Sequence, residues 1–241
     1  MTARVKFWLI TVSAVLAVVA TLSLGRWQLA RAAQKLNLQA AIDSQSRRAP
    51  LDNRSLLALP DATAATHQTV RLRGTWVADK TVFLDNRQMN AKPGLYVVTP
   101  LLLENAPQAV LVQRGWVARN FMDRASVPNI KAPAGVIEIE GRIAPPPSKL
   151  YELGGTEIGL IRQNLNLAQF KTETGLALML SISVLQAGAP SEGLARDWPV
   201  IGAGSDKHYG YAFQWFGISA MIAILYVWFQ IGKRFIATRR A

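Results

Sequence analysis

Two long uncharged apolar runs, Phe7 to Leu24 and Tyr211 to Ile231, lie at opposite ends of this chain of 241 residues and bracket a segment of quite different composition. At the helical rise they extend about 27 and 31 Å, each close to the thickness of a bilayer's hydrocarbon core. Both are expected to cross a membrane. The first run exceeds the apolar length of a signal peptide, and no small-x-small cleavage site precedes Gly25-Arg26-Trp27, so it reads as an uncleaved anchor. Lys233, Arg234, Arg239 and Arg240 follow the second run, against Arg196 and Lys207 before it, which predicts a cytoplasmic C-terminus. Two spans then return the N-terminus to the same side; Arg4 and Lys6 agree, while Arg26, Arg31 and Lys35 pull the other way. The expected organisation is a cytoplasmic tail and first span over residues 1–24, an amphipathic helical stalk over 25–50, a periplasmic domain over 51–207, a second span over 208–232 and a basic cytoplasmic tail over 233–241.

A formal charge of +12 suggests nucleic acid until it is divided. Six of the 27 basic residues are Arg4, Lys6 and the four of the C-terminal tail, and no acidic residue lies in either tail. The excess left on the central segment reads as a solvated surface facing away from cytoplasmic nucleic acid, so nucleic-acid binding is not expected. With no cysteine, neither disulfides nor thiolate chemistry is available, which excludes a thiol-based copper chaperone or redox relay. No Arg-rich, Ser-rich presequence precedes the first run, and a bacterial inner membrane is the expected location.

Beyond the first run the helix should continue, with Leu29, Ala33, Leu36 and Ala40 on one face and Gln28, Arg31 and Lys35 on another. Trp27 stands where an indole commonly marks the membrane boundary. Pro50 to Gln68 reads as loop, with a helical turn at Leu56, Leu57 and Leu59. From Val70 the period becomes two: Val70, Leu72 and Trp76 alternate with Arg71, Arg73 and Thr75, as in a strand with one buried face. Further strands are expected at Thr81–Asp85, Tyr96–Leu103, Ala109–Val117, Val136–Ile143, Gly159–Gln163 and Ala177–Gln186, separated by turns at Asn90 to Gly94, Glu104 to Pro107 and Pro145 to Pro147. A short helix through Phe170 is bounded by Asn166 as N-cap and Gly175 as stop. The expected fold class is therefore a membrane protein whose two transmembrane helices flank a mainly antiparallel β (α+β) domain, closed as a small barrel or sandwich.

Catalysis finds no support, and the chain is not expected to be an enzyme. Only His67 and His208 could serve as imidazole bases, and neither sits in a nucleophile motif. Gly154-Gly155 and Gly202-Ala203-Gly204 are too short for phosphate loops, and no His-x3-His pair or EF-hand loop occurs. His67 reads as a solvated loop histidine. His208 opens the second run, and helical spacing aligns it with Tyr211, Trp215, Ser219 and Ile222, an imidazole above an aromatic, apolar surface. A haem needs such a combination, while an interfacial histidine with belt aromatics would look alike. Gln214 places an amide inside the apolar run and is expected to face protein or a cofactor. Ser13, Ala17 and Thr21 in the first run and Ser219 and Ala223 in the second recur at fours, a spacing that would let the helices pack closely.

Five elements in order, Leu24-Gly25-Arg26-Trp27-Gln28 with Arg31 and Lys35, Asp85-Asn86-Arg87, Gly94 to Leu101, Val110 to Val117, and His208 with Tyr211 to Trp215, resemble the Surfeit locus protein 1 family across essentially the whole chain. That resemblance implies a cytochrome c oxidase assembly factor, held in the inner membrane by both ends and acting on oxidase subunit I around haem a insertion. Its implied partners are subunit I and other assembly factors or haem a synthase. His208 matches the family's candidate haem ligand, which makes it the implied haem-iron ligand here, with Tyr211, Gln214 and Trp215 beside the cofactor. Gly25, Trp27 and Gln28, with Arg31, match the first-span exit motif; Arg87, Arg114, Gly115 and Trp116 match motifs of the soluble domain. These could be partner contacts or fold determinants, Gly115 allowing close backbone approach and Trp116 filling the core. Gln113 stands where many members have asparagine. The residues also admit a cofactor-free scaffold for oxidase intermediates using Arg114, Trp116 and exposed basic strand faces, or a periplasmic lipid-binding or envelope adaptor.

Overall fold

In chain order the elements are helix α1 (Ala3–Ser46), the short helix α2 (Asn53–Leu57), strands β1 (Thr69–Trp76), β2 (Val82–Met89), β3 (Lys92–Leu103), β4 (Gln108–Ala118), β5 (Val136–Ala144) and β6 (Ile161–Arg162), helix α3 (Leu167–Thr174), strands β7 (Ala177–Leu178) and β8 (Ser183–Gln186), and helix α4 (Ser205–Tyr226), which runs on as a π-helical stretch, Val227–Gly232. This computed structural model describes residues 2–120, 122, 127–151, 159–199 and 205–232; the basic tail 233–241 that carries the orientation argument, Gly154-Gly155 and Gly202-Ala203-Gly204 lie outside them. The two chain ends form one unit and Ile42–Pro199 another.

In the first unit, α1 and α4 are long and apolar enough to cross a membrane. They pair antiparallel, because ascending positions on α1 meet descending ones on α4. Thr11 Oγ1 lies 2.9 Å from the Tyr226 hydroxyl, Gly25 backs onto the Phe216 ring, and Gln28 meets His208. Shielded positions recur alternately at fours and threes: Phe7, Thr11, Ala14, Val18, Thr21, Gly25 and Gln28 on α1, and His208, Ala212, Trp215, Ser219, Ile222 and Tyr226 on α4. A 3.5-residue period keeps one seam against the partner. It also corrects two expected stripes, the small residues recurring at fours and the His208 stripe that stepped three residues to Tyr211. Ser13 and Ala223 are exposed, Ala14, Gly25 and Ala212 line the seam instead, and Tyr211 gives its place to Ala212. The outer faces, with Trp8, Leu9, Val12, Leu16, Phe213, Met221, Ile224 and Trp228, are apolar and exposed. Further along α1, Leu29, Ala33, Leu36 and Ala40 are exposed and Ala32 is buried, so the shielded face is not the one the leucines mark.

In the second unit five strands close a circuit, β3-β1-β5-β8-β4 and back to β3. Four of its contacts are antiparallel, with Trp76 opposite Leu101, Leu72 opposite Ile139, Ile143 opposite Val184 and Leu101 opposite Val110. The closing contact, Val112 with Val184, is parallel. A closed sheet has no free edge to protect. Val70, Leu72, Leu101, Leu103, Val110, Val112, Ile139, Ile143 and Val184 fill the interior. A second cluster forms outside it, where Leu167 and Phe170 of α3 cover Val82, Leu84, Val98 and Leu111. Strand β4, covered on both faces, is buried from Ala109 to Trp116 and so shows no alternation.

The local signals explain most boundaries. The Asn166 side chain accepts from the N–H groups of Ala168 (3.0 Å) and Gln169 (3.3 Å), and Gly175, at φ 71°, ends α3 by donating to the Lys171 carbonyl. Asp52 caps α2 by accepting from the Ser55 N–H at 2.8 Å. Asn90 and Ala91, both at positive φ, make the two-residue turn of the β2–β3 hairpin, so the strand starts at Lys92 rather than Tyr96. The strand expected at Ala177–Gln186 is interrupted: Ala109 pairs with Leu178 and Val112 with Val184, twice the sequence separation on one side as on the other, and the surplus loops out.

Candidate functional site

The motif residues of the β domain converge on two bulges that face each other across β3. On β2, Leu84 pairs with Tyr96 but Arg87 with Gly94, leaving Asp85-Asn86 as a bulge with Asn86 at φ 56°. On β4, Gln113 pairs with Val98 but Gly115 with Val97, so Arg114 is the extra residue. The Trp116 indole folds over Gly94, where any Cβ would overlap it, and donates from Nε1 to the Arg87 carbonyl at 2.9 Å. Gly115 is required for close approach: a Cβ there would lie 2.7 Å from the Ala195 carbonyl oxygen and 2.8 Å from Leu194 Cβ. Trp116 and Ala195 exchange both backbone hydrogen bonds, at 2.8 and 2.9 Å, which ties the 188–199 segment onto β4.

Two guanidinium groups are buried here. Arg87 donates from Nη1 to the Ser148 hydroxyl (3.1 Å) and from Nη2 to the carbonyls of Ser148 (2.8 Å) and Gln163 (3.0 Å), while lying 6.0 Å from the centre of the Tyr96 ring. Burial pushes its pKa down, and the Tyr96 hydroxyl partly opposes this. Arg114, 1% exposed, donates from Nη2 to Glu192 (2.5 Å) and to the Lys131 carbonyl (2.9 Å), and stacks 4.8 Å over the Trp76 ring in the barrel core. Its Nε has no hydrogen-bond partner among the described residues. Arg196 braces the same segment, donating from Nε to the Arg114 carbonyl at 2.9 Å. Such side chains join elements distant in sequence. Arg87 and Arg114 are buried and so offer little open surface to a partner.

The basic strand face is also internally neutralised. Arg71 donates to Glu140 (2.6 Å) and approaches Glu138 (3.6 Å), and Arg73 pairs with Glu104 (3.4 Å) along a groove of about 880 Å³. His67 departs from the solvated histidine expected. Its backbone sits at φ 77°, its backbone N–H donates to the Ile143 carbonyl at 2.8 Å, and its Nδ1 is buried without a hydrogen-bond partner among the described residues. Burial, and then the Arg142 charge, push its pKa down.

In the helix pair, His208 is half-buried and its Nδ1 lies 2.7 Å from Gln28 Oε1. An amide oxygen only accepts, so the imidazole donates from Nδ1. Trp215 lies two turns along the same seam, whereas Tyr211 and Gln214 are exposed. Gly25 is one turn before Gln28, and a Cβ there would stand 2.6 Å from Phe216 Cε1. Trp27 is exposed with the Arg31 guanidinium 5.7 Å from its ring centre. Sequence reasoning named His208 and Gln28 separately and missed that they meet. It also missed Phe216, Glu192 and Ser148, none of which lies in a quoted motif; the 3.5-residue seam is the signal that could have paired α1 with α4. Among the described residues no group of three or more His, Asp or Glu could hold a metal ion.

The SURF1 family model matches residues 15–220, from within the first apolar run to within the second. A SURF1-like protein of Drosophila melanogaster is 27% identical over 89% of this chain and 75% of its own length. A SURF1-like protein of Monosiga brevicollis is 28% identical over 50% of this chain and 47% of its own. The cytochrome oxidase assembly protein SHY1 of Saccharomyces cerevisiae is 25% identical over 39% of this chain and 24% of its own length.

Proposed function

Because this chain belongs to the SURF1 family, we propose that it is a non-enzymatic assembly factor for cytochrome c oxidase, anchored in a bacterial inner membrane by α1 and α4 with both termini cytoplasmic and the β domain in the periplasm. The name of the yeast relative supports the oxidase role. The exposed apolar faces of the two helices support the anchoring, since such surfaces are costly in water and ordinary in lipid. Its partners are oxidase subunit I together with other assembly factors or haem a synthase.

Haem a is the proposed cargo, carried toward subunit I. The observation that carries this reading is the His208–Gln28 hydrogen bond: with the proton on Nδ1, a neutral imidazole keeps an unshared pair on Nε2, the donor type that haem iron takes. His208 would hold the iron, and Tyr211, Gln214 and Trp215 would contact the macrocycle. One axial nitrogen suits a transient hold, leaving a coordination position for handover. A cofactor-free scaffold docking through Arg114 and Trp116 is disfavoured because both are buried. Deleting the protein should lower oxidase activity and the haem a content of the membranes, and re-expression should restore both. Undiminished oxidase in the deletion strain would defeat the assembly role.

A further inference from the structure

The His208 ring has one fixed neighbour on α1. In a histidine side chain free in water the proton prefers Nε2, so the opposite tautomer has to be imposed by whatever partner the ring is given. Here the partner is Gln28 Oε1, 2.7 Å from Nδ1, and Nε2 has no hydrogen-bond partner among the described residues. The placement is not left to two mobile side chains. One turn before Gln28, the missing Cβ of Gly25 lets the Phe216 ring close on the α1 backbone. On α4, Ala212, one turn after His208, is buried in the same seam. Close contact at these two positions sets the depth at which the helices meet, and therefore the reach of the Gln28 amide.

We propose that Gln28 is a positioning residue that holds His208 as the Nδ1–H tautomer and so presents Nε2 as the coordinating atom. Its use for haem rests on the function proposed above, whereas its geometry does not. Metal-ligating histidines commonly donate their second ring nitrogen in this way, and losing that partner lowers metal affinity by roughly 10- to 100-fold. The glutamine of the first-span exit motif and the histidine at the head of the second span are then two halves of one device, separated by 180 residues in sequence.

The chain has only two histidines, so the ring nitrogens of His208 can be read in the full-length protein in lipid nanodiscs by 15N NMR, assigned by difference from His208→Ala. At about pH 8.5, above the ordinary imidazole range, the wild type should show Nδ1 protonated and Nε2 bare. Gln28→Met should move the proton to Nε2, Gln28→Glu should keep it on Nδ1, and Thr11→Val, at the far end of the same seam, should leave it unchanged. A wild-type proton on Nε2, no response to Gln28→Met, or an equal response to Thr11→Val would each overturn the inference. In parallel, haem a titration should show affinity reduced roughly 10- to 100-fold by Gln28→Met and largely restored by Gln28→Glu. If the wild type takes up no haem a while the tautomer follows Gln28, the haem reading fails and the positioning role stands.

Discussion

The helix pair hides Thr11, Thr21, Gln28, His208 and Ser219 along its seam and turns Trp8, Leu16, Phe213 and Trp228 outward, whereas the barrel hides Val70, Leu72, Val112 and Ile143 and turns Arg71, Arg73, Glu138 and Glu140 outward. The two regions sort the same residue classes in opposite directions. Water drives apolar side chains into the barrel, but in the membrane setting proposed above lipid tails, as apolar as leucine, would give the helices no such drive. There small residues and hydrogen bonds would hold the pair, and Gly25, Ala212 and the Thr11–Tyr226 and Gln28–His208 contacts occupy its seam. In the barrel the buried polar groups, Arg87 and Arg114, instead lock peripheral segments onto a core that burial has already formed.

That contrast can be broken in several places. Trp116→Ala should have the largest effect, about 3–5 kcal/mol from the β domain, because it opens a cavity and leaves the Arg87 carbonyl without its donor. Urea unfolding followed by tryptophan fluorescence would measure it, with the helix pair unaffected. Glu192→Gln should cost about 2 kcal/mol, less than a fully buried pair would, since Glu192 keeps 21% of its side chain exposed while Arg114 has only 1%. Gly25→Leu should do the reverse of both: about 1–2 kcal/mol of overpacking against Phe216, read as weaker helix association in detergent by energy transfer between labelled helices, with β-domain unfolding unchanged.

The smallest effects are in pH. Arg162 hydrogen bonds hold the Glu173 carboxyl below its usual range, so the clamp between β6 and α3 is fully present above the unfolded carboxylate range and lost as pH falls through the depressed folded value. His67, pushed down by burial, adds a loss in a higher window: below the ordinary imidazole range the unfolded chain binds a proton that the folded one does not. Stability of the β domain should therefore decline from about pH 6.5 downward, and His67→Gln should flatten the upper part of that curve. An unchanged slope in His67→Gln would show that the ring is not a source of it.

How much of this was legible in the sequence differs between the regions too. Period-two alternation located β1 and β5, and Asn166 and Gly175 bounded α3 correctly, because those signals act within a few residues. Strand β4 was expected at Ala109–Val117, but its burial on both faces depends on α3 and on the 188–199 segment. The bulges at Asp85-Asn86 and Arg114 were invisible, since a register shift is a relation between two strands. On the helices, length and composition were enough to find two helices able to cross a membrane, yet the small-residue period of four misplaced Ser13 and a step of three from His208 misplaced Tyr211. Gln28 and His208 were named for separate reasons, and only the antiparallel pairing of the chain's two ends brings them to 2.7 Å.

His208 is proposed above as the group that takes haem a, and absorbance of the purified protein tests that role most directly. Wild-type protein from haem-a-producing cells should carry a Soret band, and His208→Ala, still membrane-inserted and with unchanged β-domain unfolding, should lose or shift it. Identical spectra for the two proteins, or a colourless wild type from cells rich in haem a, would contradict the account.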